Sequence, residues 1–344
     1  MTRLWLHVGT HKTGTTAIQA YLAQCRTELA AQGILYPSLR PGLWKERESH
    51  HKVAQALARY SVIDRFRLGR YRRWIDRSRP RVTILSAEPI YRHVVGKAEP
   101  RDLDEWFSAH RRYLRRLATW LSGFDVQPLV YFRPPDDFAV SLYKEHVVRR
   151  LLRGNDRGFE GFLAMSAPFY EYCRHQATLA EVFGTVVARD YADACRHGLL
   201  ADFTALVGAR DLPPPSRAEV RCSPGNRATL WLARQPERGT RRSHVRRVLF
   251  ALRAGREGPF GEREPTTLWP DRASFERFVE RHRSAWDLRF LPAPAWNGLP
   301  SATWTADDHA AAESAFRAWE ASNIDLLRRR EARGLAFYEP DPGA

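Results

Sequence analysis

The residues best equipped for chemistry come first in the chain. Gly9-Thr10-His11-Lys12-Thr13-Gly14-Thr15-Thr16 sets four residues between two glycines, with one lysine among them. Loops of that glycine spacing hold phosphates: successive backbone N–H groups and the start of the next helix form a cradle for an anion. Glycine is needed because the anion approaches the main chain closely and the loop turns through φ > 0. ATP-binding loops of this kind carry lysine directly after the second glycine. Here Thr15 stands in that place, and the lysine lies inside the loop as Lys12. Thr15 and Thr16 add hydroxyls where a helix should begin, and His11 is a further donor within the loop. The chain has 50 Arg and only five Lys, so a lysine at this spot is a selective signal.

A second pair of residues suits a terminal phosphate. Arg133 closes the apolar run Gln127 to Phe132, and Ser141 follows eight residues later on a helix predicted from about Asp136 to Leu152. A guanidinium fork fits phosphate and a hydroxyl completes its shell. An Arg and a Ser at this spacing mean little alone; joined to the loop they gain weight. A proton acceptor is also sought. Glu88 follows the short strand Val82 to Leu85, and Pro89 bars the α region at Glu88 and ends the strand. Its carboxylate is expected at the carboxyl edge of the sheet, level with Gly9 and Arg133, where open α/β sheets bind ligands. His50 and His51 are the alternatives, with the better intrinsic pKa of ~6.5. A carboxylate needs partial burial to rise toward that range. Position ranks Glu88 first, because a base out of hydrogen-bond reach does nothing.

These residues resemble the cofactor-binding signatures of sulfotransferases that use 3′-phosphoadenosine 5′-phosphosulfate (PAPS). That family's 5′-phosphosulfate loop runs Lys-x-Gly-Thr-Thr, as Lys12-Thr13-Gly14-Thr15-Thr16 does. Its 3′-phosphate is held by an arginine at a strand end and a serine eight residues on, the places of Arg133 and Ser141. The opening LHVGTHKTGTTAIQAYLAQ, with the later GILYP, is most similar to bacterial members. Ser322-Asn323 in a late helix and the ending Phe337-Tyr338-Glu339-Pro340 also resemble them, whereas residues 209–300 match nothing. The resemblance implies in-line transfer of a sulfuryl group from PAPS to a hydroxyl of a carbohydrate or glycosylated metabolite, leaving 3′,5′-ADP. It implies Lys12 on the leaving oxygen, and Gly9, His11, Lys12, Thr13, Gly14, Thr15, Thr16, Arg133 and Ser141 as the cofactor site. A histidine or glutamate base follows from it too, here Glu88 or His51, and no metal. Two other readings stay open. A P-loop kinase or NTPase would need lysine at position 15 and Mg²⁺ ligands. A non-catalytic nucleotide- or nucleic-acid-binding protein rests on charge alone, and nucleic acid is not an expected partner.

The elements that must position these groups are legible in the first 190 residues. Apolar runs at Leu4 to Val8, Val82 to Leu85, Gln127 to Phe132 and Val186 to Ala188 read as buried strands. Helices alternate with them: 17–32, ended by Gly33; one capped by Ser49; 65–81; 102–123; and 136–152. Strand and helix in alternation predict an α/β, three-layer, P-loop-like fold with a central parallel sheet. The expected organisation is a single domain, 1–208 forming the nucleotide-binding core and 209–344 a mostly helical extension that completes the acceptor site. Residues 209–226 and 257–272 read as loops, and 240–256, 273–283 and 306–333 as helices.

Composition bounds the partners. The net charge is +16, from 55 Lys+Arg against 39 Asp+Glu, and a field of that sign draws anions without choosing among them. Arg241, Arg242, Arg246, Arg247 and Arg253 make the 240–256 helix a candidate for peripheral membrane contact. Trp269, Trp286, Trp296 and Trp304 are candidates for stacking on sugar rings. Four distant cysteines without a CxxC argue against a zinc site and for free thiols, hence a cytoplasmic enzyme. No stretch has a membrane span's length of apolar residues. Acceptor identity, regiochemistry and oligomeric state are left open.

Overall fold

The computed structural model describes residues 2–10, 12–45, 47–96, 100–149, 158–216, 223–234, 241–254, 258–261, 266–286 and 290–332. Along the chain run β1 (Thr2–His7), α1 (Thr15–Gln24), α2 (Arg26–Ala31), β2 (Ile34–Leu35), α3 (His51–Arg59), α4 (Val62–Ser78), β3 (Val82–Ser86), α5 (Leu103–Trp120) and β4 (Phe124–Phe132). Then follow α6 (Pro135–Arg149), α7 (Gly158–Met165), α8 (Tyr172–Phe183), β5 (Val187–Asp190), α9 (Tyr191–His197) and α10 (Leu199–Val207). The last are α11 (Asn226–Ala233), α12 (Arg241–Ala254), α13 (Arg272–His282), α14 (Ala306–Ser322) and α15 (Ile324–Ala332).

The described residues fall into two compact units. Met1–Pro135, Ser166–Glu219 and His282–Ala293 contribute to the first; Asp136–Met165, Val220–Arg281 and Pro294–Ala344 contribute to the second. The units interleave along the chain, so their limits differ from a 208/209 boundary.

The first unit holds a five-stranded, all-parallel sheet in the order β2-β3-β1-β4-β5. Strands covered on both faces read as continuous apolar runs, which is why Leu4, Leu6, Ile84, Leu85, Val130 and Phe132 are all buried. On one face Trp5, Ile84, Leu129 and Tyr131 meet Ile18 and Leu22 of α1 and Phe203 and Val207 of α10. On the other, Phe132 lies 4.6 Å from the ring of Tyr172 at the start of α8, and α8 packs on α5. Pro128 sits inside β4 opposite Leu6. Its missing N–H costs nothing, because Leu129 O accepts from Val8 N and so Pro128 faces the other way. On that side β5 begins pairing only at Leu129, so Pro128 occupies a local edge.

Local chemistry moved several boundaries. Ser49 does not cap α3; the cap residue is His50, without a side-chain bond. Ser61 starts α4 instead, accepting from Asp64 N. The 17–32 helix breaks at Cys25. The strand β2 is two residues long, too short for a periodicity. Helix α11 begins where the expected 209–226 loop ends, in a stretch for which no element was expected, and the 306–333 helix is interrupted at Asn323. Glu88 is not held extended by Pro89: it opens a 3₁₀ turn, Glu88–Tyr91, with the proline in its first positions, where no N–H is required.

In the second unit Trp231, Phe250, Phe260 and Phe316 form an aromatic core. Trp269 and Trp304 are buried, as is Trp286 in the first unit, so three of the four tryptophans named for sugar stacking have no face in solvent. Trp296 is half-buried against Phe275. The α12 arginines are partly spent: Arg246 bonds Glu320 at 3.0 Å and Arg247 bonds Glu313 through both nitrogens, 2.5 and 2.8 Å. Among the described residues no helix is long and apolar enough to cross a membrane.

The first unit buries several neutral imidazoles. Burial pulls His7, His50, His93 and His110 down to about 4. Between about 4 and the free value the unfolded chain binds more protons than the folded one, so stability rises with pH across that window and is lost as pH falls. Each fully buried ring accounts for on the order of 3 kcal/mol of stability lost as pH falls from neutrality to below about 4. The urea midpoint should therefore drop steeply between about pH 6.5 and 4.5, above most carboxylate titrations; a flat midpoint there would contradict neutral burial.

Candidate functional site

The first unit gathers the carboxyl ends of β1, β3 and β4. β1 is central, and its register pairs His7 with Ser86 on β3 and with Leu129 on β4. The chain leaves β1 into the loop at Gly9, leaves β3 into Glu88 and leaves β4 into Arg133. These three therefore emerge at one edge because the strands are parallel and neighbouring.

The loop is shaped by its own hydroxyls. Thr10 Oγ1 donates to Tyr131 O at 2.6 Å, tying the loop to β4, and Thr13 Oγ1 donates back to Thr10 O at 2.7 Å. The Thr13 side chain is thus used internally, leaving its backbone for a ligand. Lys12 and Gly14 both lie in the left-handed region, at φ 65° and 67°. For glycine this is free; for lysine it is a strained conformation of the kind found at functional sites. Gly14 leads into α1 with no capping side chain and no carboxylate in the first turn, so the first-turn N–H groups of α1 lack the usual side-chain acceptor.

Close approach explains Gly9. A Cβ there would lie 2.7 Å from Thr15 Oγ1 and 3.4 Å from Glu88 Cα. Glu88 is therefore packed directly against the start of the loop. Thr15 Oγ1 is buried without a hydrogen-bond partner, and Thr16 is half-buried beside it. A buried donor left unmade is costly, and an anion in the cradle would satisfy it.

Arg133 faces the loop. Its Nη1 donates to Lys12 O at 3.1 Å, and its guanidinium lies 5.5 Å from the ring centre of Tyr191. Tyr191 also packs on Gly14, 3.4 Å from where a Cβ would sit. Burial pushes the Tyr191 hydroxyl up to about 12, so it stays protonated under the arginine. Sequence reasoning gave Tyr191 no role, although it follows the last strand directly and strand ends are where ligands bind. Tyr172 OH holds Arg133 from behind, donating to its carbonyl at 3.1 Å.

The three candidate bases separate. His50 is fully engaged: Nδ1 accepts from Ser86 N at 3.0 Å and Nε2 donates to Pro37 O at 2.8 Å. Both ring nitrogens serve the fold, so it has no site left for a substrate proton. His51 begins α3, which packs on the Glu88–Tyr91 turn. Glu88 and His51 remain as candidates, on two elements that pack together. His7, missed in the sequence as part of a strand, lies beneath them. Its Nδ1 pairs with Ser86 Oγ at 2.9 Å, and Gln19 Nε2 donates to the same oxygen at 3.0 Å. Burial outweighs the opposing field of Glu88 and keeps His7 neutral.

Ser141 lies on α6, half-buried, in the second unit. His11 and the Phe337–Pro340 ending lie outside the described residues.

The geometry makes Gly14 the test of the loop. Gly14→Ala imposes the left-handed penalty of ~1–2 kcal/mol and drives a Cβ to 2.2 Å from Leu199 Cδ2. Its urea midpoint should fall accordingly, with secondary structure retained; an unchanged midpoint would mean the loop does not adopt this turn. No family model, curated protein or solved structure matches the chain.

Proposed function

We propose that the chain is a PAPS-dependent sulfotransferase acting on a hydroxyl of a carbohydrate or glycosylated metabolite. The observation that carries the reading is a lysine inside a glycine loop at an uncapped helix start, with Arg133 bonded to that lysine's carbonyl. The residues present fit the donor: the orphaned Thr15 hydroxyl and the Gly9 position, which a Cβ would fill, both suit a bound anion. When bound, PAPS would supply an activated sulfuryl group on a 5′-phosphate leaving group.

The protein's part is to orient and to neutralise charge. Backbone N–H groups from Thr13 to Thr16 would hold the 5′-phosphate. Lys12 would meet the oxygen on which charge grows as the bond to sulfur breaks. Such donors are worth ~3–4 kcal/mol each. Arg133 is assigned to the 3′-phosphate, the role the resemblance also implies for Ser141, and the Tyr191 ring lies against the Arg133 guanidinium. Glu88 would accept the acceptor's hydroxyl proton as its oxygen bonds sulfur, with His51 the alternative. We assign the enzyme to the cytoplasm, consistent with thiols at Cys25 and Cys195 that form no disulfide.

Calorimetry tests the donor. Without Mg²⁺, 3′,5′-ADP should bind more tightly than 5′-AMP, and Arg133→Ala should erase most of the difference. Equal affinities in the parent would refute the 3′-phosphate assignment, and tighter Mg²⁺-dependent binding of ATP would favour a kinase or NTPase. A transfer assay tests the chemistry. Lys12→Ala should lower turnover ~10²-fold or more, with a smaller effect on nucleotide affinity. Glu88→Gln should nearly abolish turnover while 3′,5′-ADP still binds; an active Glu88→Gln beside an inactive His51→Ala would move the base to α3.

A further inference from the structure

The helix α4 has two faces of opposite use. Leu68, Tyr71 and Ile75 are buried, with Asp64 on the same side. On the other side Val62, Ile63 and Phe66 are 72%, 64% and 59% exposed. Three large apolar side chains side by side in water at the start of one helix are an uncommon expense for a soluble surface. Tyr60, just before the helix, is 41% exposed. From Val62 the exposed stripe continues through Phe66, Arg70, Arg73 and Arg77, which fall on one side at helical spacing and are all exposed, Arg70 while donating from Nε to Pro41 O at 2.9 Å.

No carboxylate of α4 opposes this stripe. Asp64 is buried and bonded by Ser61 and Arg59, and Asp76 is bonded by Arg72. More cations surround the apolar end. The Arg116 guanidinium lies 4.5 Å from the Tyr60 ring centre and that of Arg65 lies 5.9 Å from it.

We propose that this face of α4 is a docking surface for an anionic lipid bilayer. Exposed apolar side chains next to a row of arginines combine the two attractions that hold proteins at a membrane surface, buried apolar area and charge attraction to anionic lipid. Val62, Ile63 and Phe66 would enter the acyl boundary, while Arg70, Arg73 and Arg77 would meet lipid phosphates. Nucleic acid would use the arginines but leave the three apolar side chains in water. A second copy of the chain would bring the same arginines against one another. The surface is independent of the nucleotide site and of the activity proposed for it.

Vesicle co-sedimentation of the full chain tests this. Binding should be strong to phosphatidylglycerol-rich vesicles, weak to pure phosphatidylcholine, and reduced by salt. Ile63→Asp and Phe66→Asp, both at exposed positions, should each weaken binding ~10-fold or more, while Phe66→Leu retains it. Arg73→Glu with Arg77→Glu should weaken it comparably. Circular dichroism and 3′,5′-ADP binding identify any variant that fails to fold. The proposal is overturned by equal affinity for the two vesicle types, by binding indifferent to the apolar variants, or by concentration-dependent dimerisation that Phe66→Asp abolishes. Tighter binding to duplex DNA than to the anionic vesicles, unaffected by Phe66→Asp, would also overturn it.

Discussion

The site depends on the parallel pairing of β1 with β3 on one side and β4 on the other. Each backbone bond of that ladder is worth only about 1 kcal/mol net, but register is all-or-none. A slip of one residue would send the side chains of β1 to the wrong face. With His7 opposite both Ser86 and Leu129, the exits of three strands share one edge. The loop, Glu88 and Arg133 become neighbours as a consequence, although 124 residues separate Gly9 from Arg133.

Around that edge many of the polar groups are spent on the fold. Thr10, Thr13, His7, Ser86, Gln19 and His50 are bonded among themselves or to backbone. They make a floor bonded largely within the protein, as low-dielectric burial requires, with His7 Nε2 buried and left without a hydrogen-bond partner. Above it stand the uncapped start of α1, the Thr15 hydroxyl, and Lys12 in its strained backbone conformation. Strain at Lys12 is held by its surroundings, among them Arg133 on its carbonyl. A loop preorganised in this way meets an anion without rearranging, the economy that electrostatic stabilisation requires.

The histidines show how environment sorts identical side chains. His50 and His51 adjoin in sequence, and either has the intrinsic pKa of a base. One became a cross-brace between Pro37 and Ser86; the other stayed half-buried as the first residue of α3, the helix that packs on the Glu88–Tyr91 turn. The arginines sort similarly. Arg246 and Arg247, candidates for membrane contact in the sequence, are tied to α14 carboxylates, whereas Arg73 and Arg77 on α4 remain exposed.

The sequence by itself determined the strand–loop–helix at Gly9, because glycine spacing and an apolar run are local properties, and it determined the α/β class, because alternation of periods is local too. It also named Arg133 and Glu88 at strand ends, since strands end where apolar runs end. It did not reveal β2, whose two residues carry no period, nor α11, nor the break at Asn323. Tertiary structure decided the rest. Strand order made Glu88 a neighbour of Gly9 and set Tyr191 against Arg133, because neighbours across a sheet are chosen by long-range pairing. It removed His50 from the list of bases and hid Trp269, Trp286 and Trp304. Burial is a property of what covers a residue, and the covering segments are distant in the chain.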